Sequence, residues 1–108
     1  MNQNRIQLLK QYIEEQPDDP FNVYALAMEY REEQPALALQ YLETLLDQHP
    51  GYLASYYHAA ALYAEQGNRE AAERIYERGI ALANAQKNEK TLQELKRAYR
   101  TFQDDDDW

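Results

Sequence analysis

Apolar residues recur at spacings of three and four along most of the chain, and no stretch alternates apolar and polar residues with period two. The spacing of three and four places apolar side chains on one face of an α-helix, whereas a half-buried strand needs alternation. Ile6, Leu9 and Ile13 give the first example. The pattern predicts helices over residues 5–16, 20–33, 35–48, 53–66 and 69–83, and a sixth that begins near residue 88 or 91. We therefore expect an all-α protein.

Turn residues separate the predicted helices. Asp19 precedes Pro20, which is the order of an N-cap and a proline at the first helical position. Pro50 ends the third helix, because the residue before a proline avoids the helical region. Gly67 is a natural left-handed C-cap, and Asn68 is an N-cap for the helix that follows. The predicted boundaries therefore rest on local turn chemistry as well as on periodicity.

The middle four helices carry two copies of one pattern. Val23, Leu26, Ala27 and Tyr30 recur 33 residues later as Tyr56, Ala59, Ala60 and Tyr63, and Ala38 and Leu42 recur 34 residues later as Ala72 and Tyr76. This pattern resembles the tetratricopeptide repeat (TPR), a helix–turn–helix unit of 34 residues. The chain departs from the family where Val23 and Tyr56 replace its tryptophan and Asn84 replaces the second terminal proline.

The resemblance implies a right-handed α–α superhelix, or solenoid, of five or six antiparallel helices. We expect residues 1–103 to form a single TPR-like domain, followed by an acidic tail at residues 104–108. Within the domain, we assign residues 1–17 to an N-terminal flanking helix, 18–50 to the first repeat, 51–84 to the second repeat and 85–103 to a capping helix. About three repeats are normally needed for stability, so the flanking helices or a homodimer would complete the stack.

The charge of the chain narrows the classes of partner. The 108 residues suffice for one domain and carry a net charge of −8, most of it in the N-terminal two-thirds. This field would repel a phosphate backbone, so we expect no nucleic-acid partner. No apolar stretch approaches the roughly 20 residues that span a bilayer, and no signal peptide is visible. We therefore expect an acidic, cytoplasmic protein without a membrane partner.

Residue types that perform catalysis are scarce. The chain has no cysteine, and its two histidines, His49 and His58, are not spaced as a metal-binding pair. Ser55 is the single serine and has no convincing triad around it, and three isolated glycines cannot form a phosphate-binding loop. We therefore expect no enzymatic activity, no cofactor and no metal. An enzyme or enzyme accessory stays an alternative that a co-purifying cofactor, metal or activity would reveal.

TPR proteins resemble one another in a concave groove lined by the inner face of the first helix of each repeat. By this resemblance the groove carries Phe21, Tyr24, Met28 and Arg31 in the first repeat and Tyr57, Ala61 and Ala64 in the second. Tyrosine offers a large apolar face and a hydroxyl at low entropic cost, which suits recognition. We expect a non-enzymatic protein–protein interaction module that binds a peptide segment or a partner helix in this aromatic groove. The alternative is a structural homo-oligomer, in which capping helices or a second protomer cover the groove and no separate ligand exists.

The chain ends in four aspartates, at positions 104 to 107, and Trp108. Negative charge at a helix C-terminus opposes the helix dipole, so we expect these residues to lie beyond the last helix. One interpretation is a frayed, solubilising tail. The other is a self-contact, in which Trp108 docks into an aromatic groove of its own chain or of a neighbour and the aspartates lie against Lys96, Arg97 or Arg100.

Overall fold

The chain is all-helical over the residues that the structure, a computed structural model, describes, which are residues 2–105. It contains six α-helices and no strand in that range: α1 (Gln3–Glu15), α2 (Pro20–Tyr30), α3 (Pro35–Gln48), α4 (Ala54–Glu65), α5 (Arg69–Ala85) and α6 (Glu89–Asp105). The all-α prediction is confirmed. The predicted and observed bounds of α3 are identical, and the other helices differ by one to three residues at an end.

Side-chain caps fix the starts of four helices. Asn2 Oδ1 accepts a hydrogen bond from the Arg5 N–H at 3.0 Å at the start of α1. Asp19 Oδ1 accepts from the Phe21 N–H at 3.0 Å, with Pro20 in the first turn of α2. Asn68 caps α5 in the same way, and Asn88 Oδ1 accepts from the Thr91 N–H at 3.1 Å. Each acceptor satisfies one of the N–H groups that have no partner within the helix. Asn88 thereby settles the two predicted starts of the sixth helix in favour of the earlier one.

Two helices end in a residue with left-handed backbone. Gly67 follows α4 with a φ of 81°, and the N–H of Asn68 donates to the Tyr63 carbonyl at 2.9 Å. After α5 the same bond runs from the Asn88 N–H to the Ala83 carbonyl at 3.0 Å, but the left-handed residue is Lys87, with a φ of 58°. Both are Schellman-type ends, which favour glycine because a side chain crowds the left-handed conformation.

The chain divides into two compact units, Met1–Ser55 (unit 1) and Tyr56–Trp108 (unit 2). In unit 1, α2 packs against both α1 and α3. The repeat positions Ala27 and Ala38 are fully buried there, beside the large side chains of Leu26, Leu42 and Leu45. Small residues at these positions let neighbouring helices approach closely.

In unit 2, α5 packs against α6, and the repeat positions Ala59, Ala60 and Ala72 are fully buried. Gly79 marks a close approach between α4 and α5, because a Cβ atom added to it would lie 2.8 Å from the Cβ of Tyr56. The repeat pattern thus explains which alanines are buried in each unit. The contact that requires Gly79 cannot be read from periodicity alone.

The C-terminal helix extends into the predicted tail. Asp104 and Asp105 belong to α6, so the expectation that the aspartates lie beyond the last helix is wrong for these two. Arg69 offsets the unfavourable interaction of these aspartates with the negative end of the helix dipole. Its Nη2 donates to the Phe102 carbonyl at 2.8 Å, and its guanidinium lies 4.0 Å from the centre of the Phe102 ring. A cation at a helix C-terminus favours the helix by about 0.3–1 kcal/mol. Residues 106–108, including Trp108, lie outside the described residues.

Candidate functional site

The predicted groove residues of the first repeat share one face of α2. Phe21, Tyr24, Met28 and Arg31 are spaced by three, four and three residues, with Arg31 directly after the last helical residue. We call these four residues the α2 face. Phe21 is 56% exposed, whereas the other three are partly buried. The α2 face therefore presents one open aromatic ring and three side chains held by the surrounding chain.

Tyr24 is oriented by a second tyrosine. Its ring centre lies 5.7 Å from that of Tyr52, in a tilted arrangement typical of aromatic pairs. Burial raises the pKa of Tyr24, and the nearby charge of Arg31 lowers it by less. Burial also raises the pKa of Tyr52, and Tyr24 and Asp19 raise it further. Both phenols therefore stay protonated at neutral pH and can donate hydrogen bonds beside the α2 face.

Arg31 brings an uncompensated positive charge to this surface. Its Nε is buried without a hydrogen-bond acceptor among the described residues, and no carboxylate pairs with its guanidinium there. A buried donor without an acceptor costs about 1–3 kcal/mol. The arginine is therefore a site at which a carboxylate or carbonyl oxygen from outside the chain would be favourable.

Unit 2 contains a cavity of about 650 Å³ bounded by α4, α5 and α6. We call it the unit 2 cavity. Its lining comprises Tyr57, Ala61, Ala64 and Glu65 from α4, Arg69 and Tyr76 from α5, and Glu94, Arg97, Ala98, Thr101, Phe102 and Asp105 from α6. The three predicted groove residues of the second repeat therefore lie together along one wall. The α6 residues repeat at spacings of three and four, so one face of that helix forms the opposite wall.

Aromatic rings and three alanines form the apolar part of the unit 2 cavity. The Tyr76 ring centre lies 5.5 Å from that of Phe102, and both side chains are largely buried. Burial raises the pKa of Tyr76 most, and the charges of Tyr57 and Glu65 raise it further. Tyr57 is 37% exposed, and its ring meets that of His58 edge-on at 5.2 Å. The cavity thus combines fixed aromatic surface with an accessible phenol.

Charged groups of both signs surround this aromatic surface. Arg69 is held by Phe102, as described above, whereas Arg97 is exposed and has no hydrogen bond or ion pair within the described part of the chain. The acidic groups are Glu65, Glu94 and Asp105. The unit 2 cavity can therefore offer a donor through Arg97 and acceptors through its carboxylates.

The residues proposed for a self-contact are separated. Arg97 lines the unit 2 cavity, Arg100 is exposed on α6, and Lys96 lines a second cavity of about 390 Å³ together with Tyr99. Trp108 lies outside the described residues. The self-contact therefore stays a prediction.

Sequence reasoning misses the contributions of α5 and α6. Arg69, Tyr76, Thr101 and Phe102 line the unit 2 cavity, although the last helix is expected to act as a cap only. The available signal is the row Arg97, Thr101 and Asp105, which follows a spacing of four along α6. That spacing identifies a shared face but not the helix it faces, because the facing partner depends on the packing of the whole unit.

The described residues hold no group of three histidine, aspartate or glutamate side chains that could bind a metal ion. His49 follows the last residue of α3, His58 is partly buried in α4, and Ser55 is completely buried. None of the helices described is long and apolar enough to cross a membrane. The α2 face and the unit 2 cavity offer aromatic surface and hydrogen-bonding groups to a ligand.

Comparison with known proteins identifies the repeat. The sequence pattern of the tetratricopeptide repeat matches residues 29–98. A TPR domain protein from Salinibacter ruber is 34% identical, and its solution structure covers 80% of this chain and 88% of its own, with a TM-score of 0.74. The crystal structure of the same domain covers 79% of this chain and 96% of its own, with a TM-score of 0.75. A protein from Bordetella parapertussis is 25% identical in sequence. Its solution structure covers 94% of this chain and 89% of its own, with a TM-score of 0.79.

No curated protein sequence matches this chain. The match to the repeat pattern covers more than half of the residues, and the likeness to the Salinibacter ruber structures extends to sequence as well as fold. The fold is therefore the helical-repeat fold that the sequence predicts. The chain belongs to the tetratricopeptide repeat family, whose members act as protein–protein interaction modules.

Proposed function

We propose that this protein is a non-enzymatic module that binds a peptide segment or a partner helix through the groove positions of α2 and α4. Each unit offers a surface for such a partner, the α2 face in unit 1 and the unit 2 cavity in unit 2. Tetratricopeptide repeats are typically scaffolds that present such surfaces and carry out no reaction. Burial of apolar groups on the partner would supply most of the binding free energy.

The observation that carries this proposal is the unit 2 cavity. Its volume of about 650 Å³ falls within the range of roughly 300–1,000 Å³ that is usual for ligand sites. Tyr57, Ala61 and Ala64 form its α4 wall, and the small side chains of the two alanines leave space beside the tyrosine. A side chain of the partner could fill this space and contact the aromatic rings of Tyr76 and Phe102.

The polar groups specify the rest of the partner. Arg31 and Arg97 both lack a carboxylate partner within the described chain, so each favours a carboxylate or carbonyl oxygen on the ligand. Glu65 and Glu94 would accept hydrogen bonds from amide or basic groups. The best-fitting ligand is therefore a segment with an apolar anchor flanked by polar groups of both signs.

The test begins with a displayed library of random dodecapeptides selected on the purified protein. A selected peptide is then titrated by fluorescence anisotropy against wild type, Tyr57→Ala and Tyr24→Ala. We expect each substitution to raise the Kd by about 30-fold, since an aromatic anchor contributes about 2 kcal/mol or more. Tyr12→Ala is the matched control, because Tyr12 is 40% exposed against 37% for Tyr57 but lies on α1.

The control should leave the Kd within twofold of the wild-type value. Failure to select any peptide would contradict the proposal, as would a selected peptide whose affinity is unchanged by both Tyr57→Ala and Tyr24→Ala. Circular dichroism of each variant shows whether the helices are retained, so a loss of affinity can be separated from a loss of fold.

A further inference from the structure

The outward side of α1 exposes two large apolar side chains. Leu8 is 45% exposed and Tyr12 is 40% exposed, whereas Ile6 and Leu9 of the same helix are buried. These two exposed residues are four positions apart and therefore lie one above the other on the helix surface. Of the large apolar side chains that are exposed in the described chain, only these two share a helix, so they form a small apolar surface that another protein can cover.

Charged residues extend the pair in both directions. Arg5 lies three positions before Leu8, and Glu15 lies three positions after Tyr12. The spacing of three, four and three keeps all four side chains on one face of α1. We call this row, Arg5, Leu8, Tyr12 and Glu15, the α1 stripe.

The α1 stripe is complementary to a second α1 stripe that runs in the opposite direction, because its ends carry opposite charges and its centre is apolar. We propose that two copies of this chain associate through it, with their α1 helices antiparallel about a two-fold axis. In such an interface residue i faces residue j and residue j faces residue i. Around a midpoint at position 10, Leu8 of each copy faces Tyr12 of the other, and Arg5 of each copy faces Glu15 of the other.

The direction of packing follows from the charges. A parallel pair would place Arg5 against Arg5 and Glu15 against Glu15, so like charges would meet at both ends. The antiparallel pair places opposite charges at both ends and apolar groups between them. The stripe therefore favours one geometry and one occupant, a second copy of the chain.

Both charged groups keep atoms available for this contact. Arg5 Nε lies 2.7 Å from Glu29 Oε1, but the arginine side chain stays 57% exposed, so its terminal nitrogens remain accessible to a carboxylate of the second copy. Glu15 Oε1 accepts a hydrogen bond from Gln11 Nε2 at 3.0 Å, which leaves its second oxygen. One helix pair buries less than the roughly 1,200 Å² of a standard interface, so we expect a weak dimer that forms only at high protein concentration.

Sedimentation equilibrium between about 10 μM and 1 mM protein tests the inference. The experiment is run at 0.15 M salt, where a Debye length of about 8 Å screens the net charge of −8 on each copy. We expect the wild-type mass to rise towards that of two chains. Arg5→Glu and Glu15→Arg should each weaken the association by about tenfold or more, because each puts like charges at both ends of the helix pair.

Mixing the two variants provides the decisive comparison. One variant then carries acidic groups and the other basic groups at both ends of the stripe, so an equimolar mixture should dimerise although neither variant does so alone. Tyr12→Ala should also weaken the dimer, whereas Tyr57→Ala should leave it unchanged. A wild-type protein that stays monomeric up to 1 mM would overturn the inference, and so would single variants that dimerise like wild type or a mixture no heavier than its components.

This inference stands apart from the proposed ligand function. Peptide binding depends on Tyr24 and Tyr57, and self-association depends on the α1 stripe. A protein that loses peptide binding in Tyr57→Ala but keeps its dimer refutes neither proposal, and the reverse pattern in Tyr12→Ala completes the separation.

Discussion

Replacing Gly79 by alanine tests the close approach of α4 and α5 in unit 2. The added Cβ atom would lie 2.8 Å from the Cβ of Tyr56 and 3.4 Å from Cδ1 of Leu95. Carbon atoms rest about 3.5–4.0 Å apart, so the helices would have to separate by about 0.7 Å. Tyr56 is 3% exposed and Leu95 is completely buried, so neither side chain can move into solvent.

The two contributions to the free energy of unfolding have opposite signs. Overpacking a core costs about 1–3 kcal/mol. Alanine is favoured over glycine in a helix interior by about 1 kcal/mol. We therefore expect Gly79→Ala to lower the stability by about 1 kcal/mol, which corresponds to a fall in Tm of roughly 5 °C for a domain of this size.

Thermal unfolding followed by circular dichroism at 222 nm measures the effect. Ala81→Gly is the control, because Ala81 is exposed on the same helix and reports the helix preference without the packing contact. It should cost about 1 kcal/mol through helix preference alone. A Gly79→Ala variant with a higher Tm than wild type would refute the close approach, since helix preference would then be the only effect.

Three further predictions concern backbone, burial and pH. Lys87→Gly should raise the free energy of unfolding in urea titrations by about 1 kcal/mol, because Lys87 has a left-handed φ of 58° that glycine adopts without strain. Gly67→Ala should lower it by about the same amount, because Gly67 has a φ of 81°. Changes of the opposite sign would contradict the left-handed conformation at these two residues. The Ser55 hydroxyl is buried without a hydrogen-bond partner among the residues described, so Ser55→Ala should raise Tm, and a clear fall would contradict this. Burial, and then the hydrogen bond to Glu77, raise the pKa of Tyr99 to about 12, so its stabilising effect is complete below pH 10 and is lost between pH 10 and 12. Tyr99→Phe should flatten that loss and remove the last step of the tyrosinate absorbance at 295 nm, and a variant that keeps both would refute the assignment.

Local signals explain why most of the fold can be predicted from the sequence. The bounds of α3 follow from Pro35 at its start and from Pro50 beyond its end. The caps at Asp19 and Asn68 and the left-handed turn at Gly67 need only their immediate neighbours. The repeat predicts how the helices pair, since a pattern that occurs twice in one chain arises by chance less often than one that occurs once.

The parts that sequence reasoning misses depend on contacts between helices. The extension of α6 to Asp105 is favoured by Arg69, which lies more than thirty residues earlier and is brought there by the packing of unit 2. The glycine at position 79 and the cavity wall formed by Arg97 and Phe102 have the same origin. Periodicity shows which side of a helix is apolar, but it does not show which residues will face it.

The exposed tyrosines illustrate the same division. Four tyrosines fall on repeat positions, where the pattern predicts burial. Tyr30, Tyr56 and Tyr76 are buried, whereas Tyr63 is only partly buried. Tyr57 and Tyr12 have nearly the same exposure, yet one borders the unit 2 cavity and the other lies on the outward side of α1. Composition alone gives them the same role, and only their surroundings distinguish a ligand contact from a surface for self-association.

Mapping a bound peptide by nuclear magnetic resonance tests the central claim, that the protein binds its partner through the groove positions, most directly. A selected peptide is titrated into the ¹⁵N-labelled protein while the backbone amide shifts are followed. We predict that the largest shift changes cluster at Tyr24 and Met28 on α2 and at Tyr57, Ala61 and Arg97 around the unit 2 cavity. Shift changes confined to α3, to the exposed side of α5 or to α1 would contradict the account.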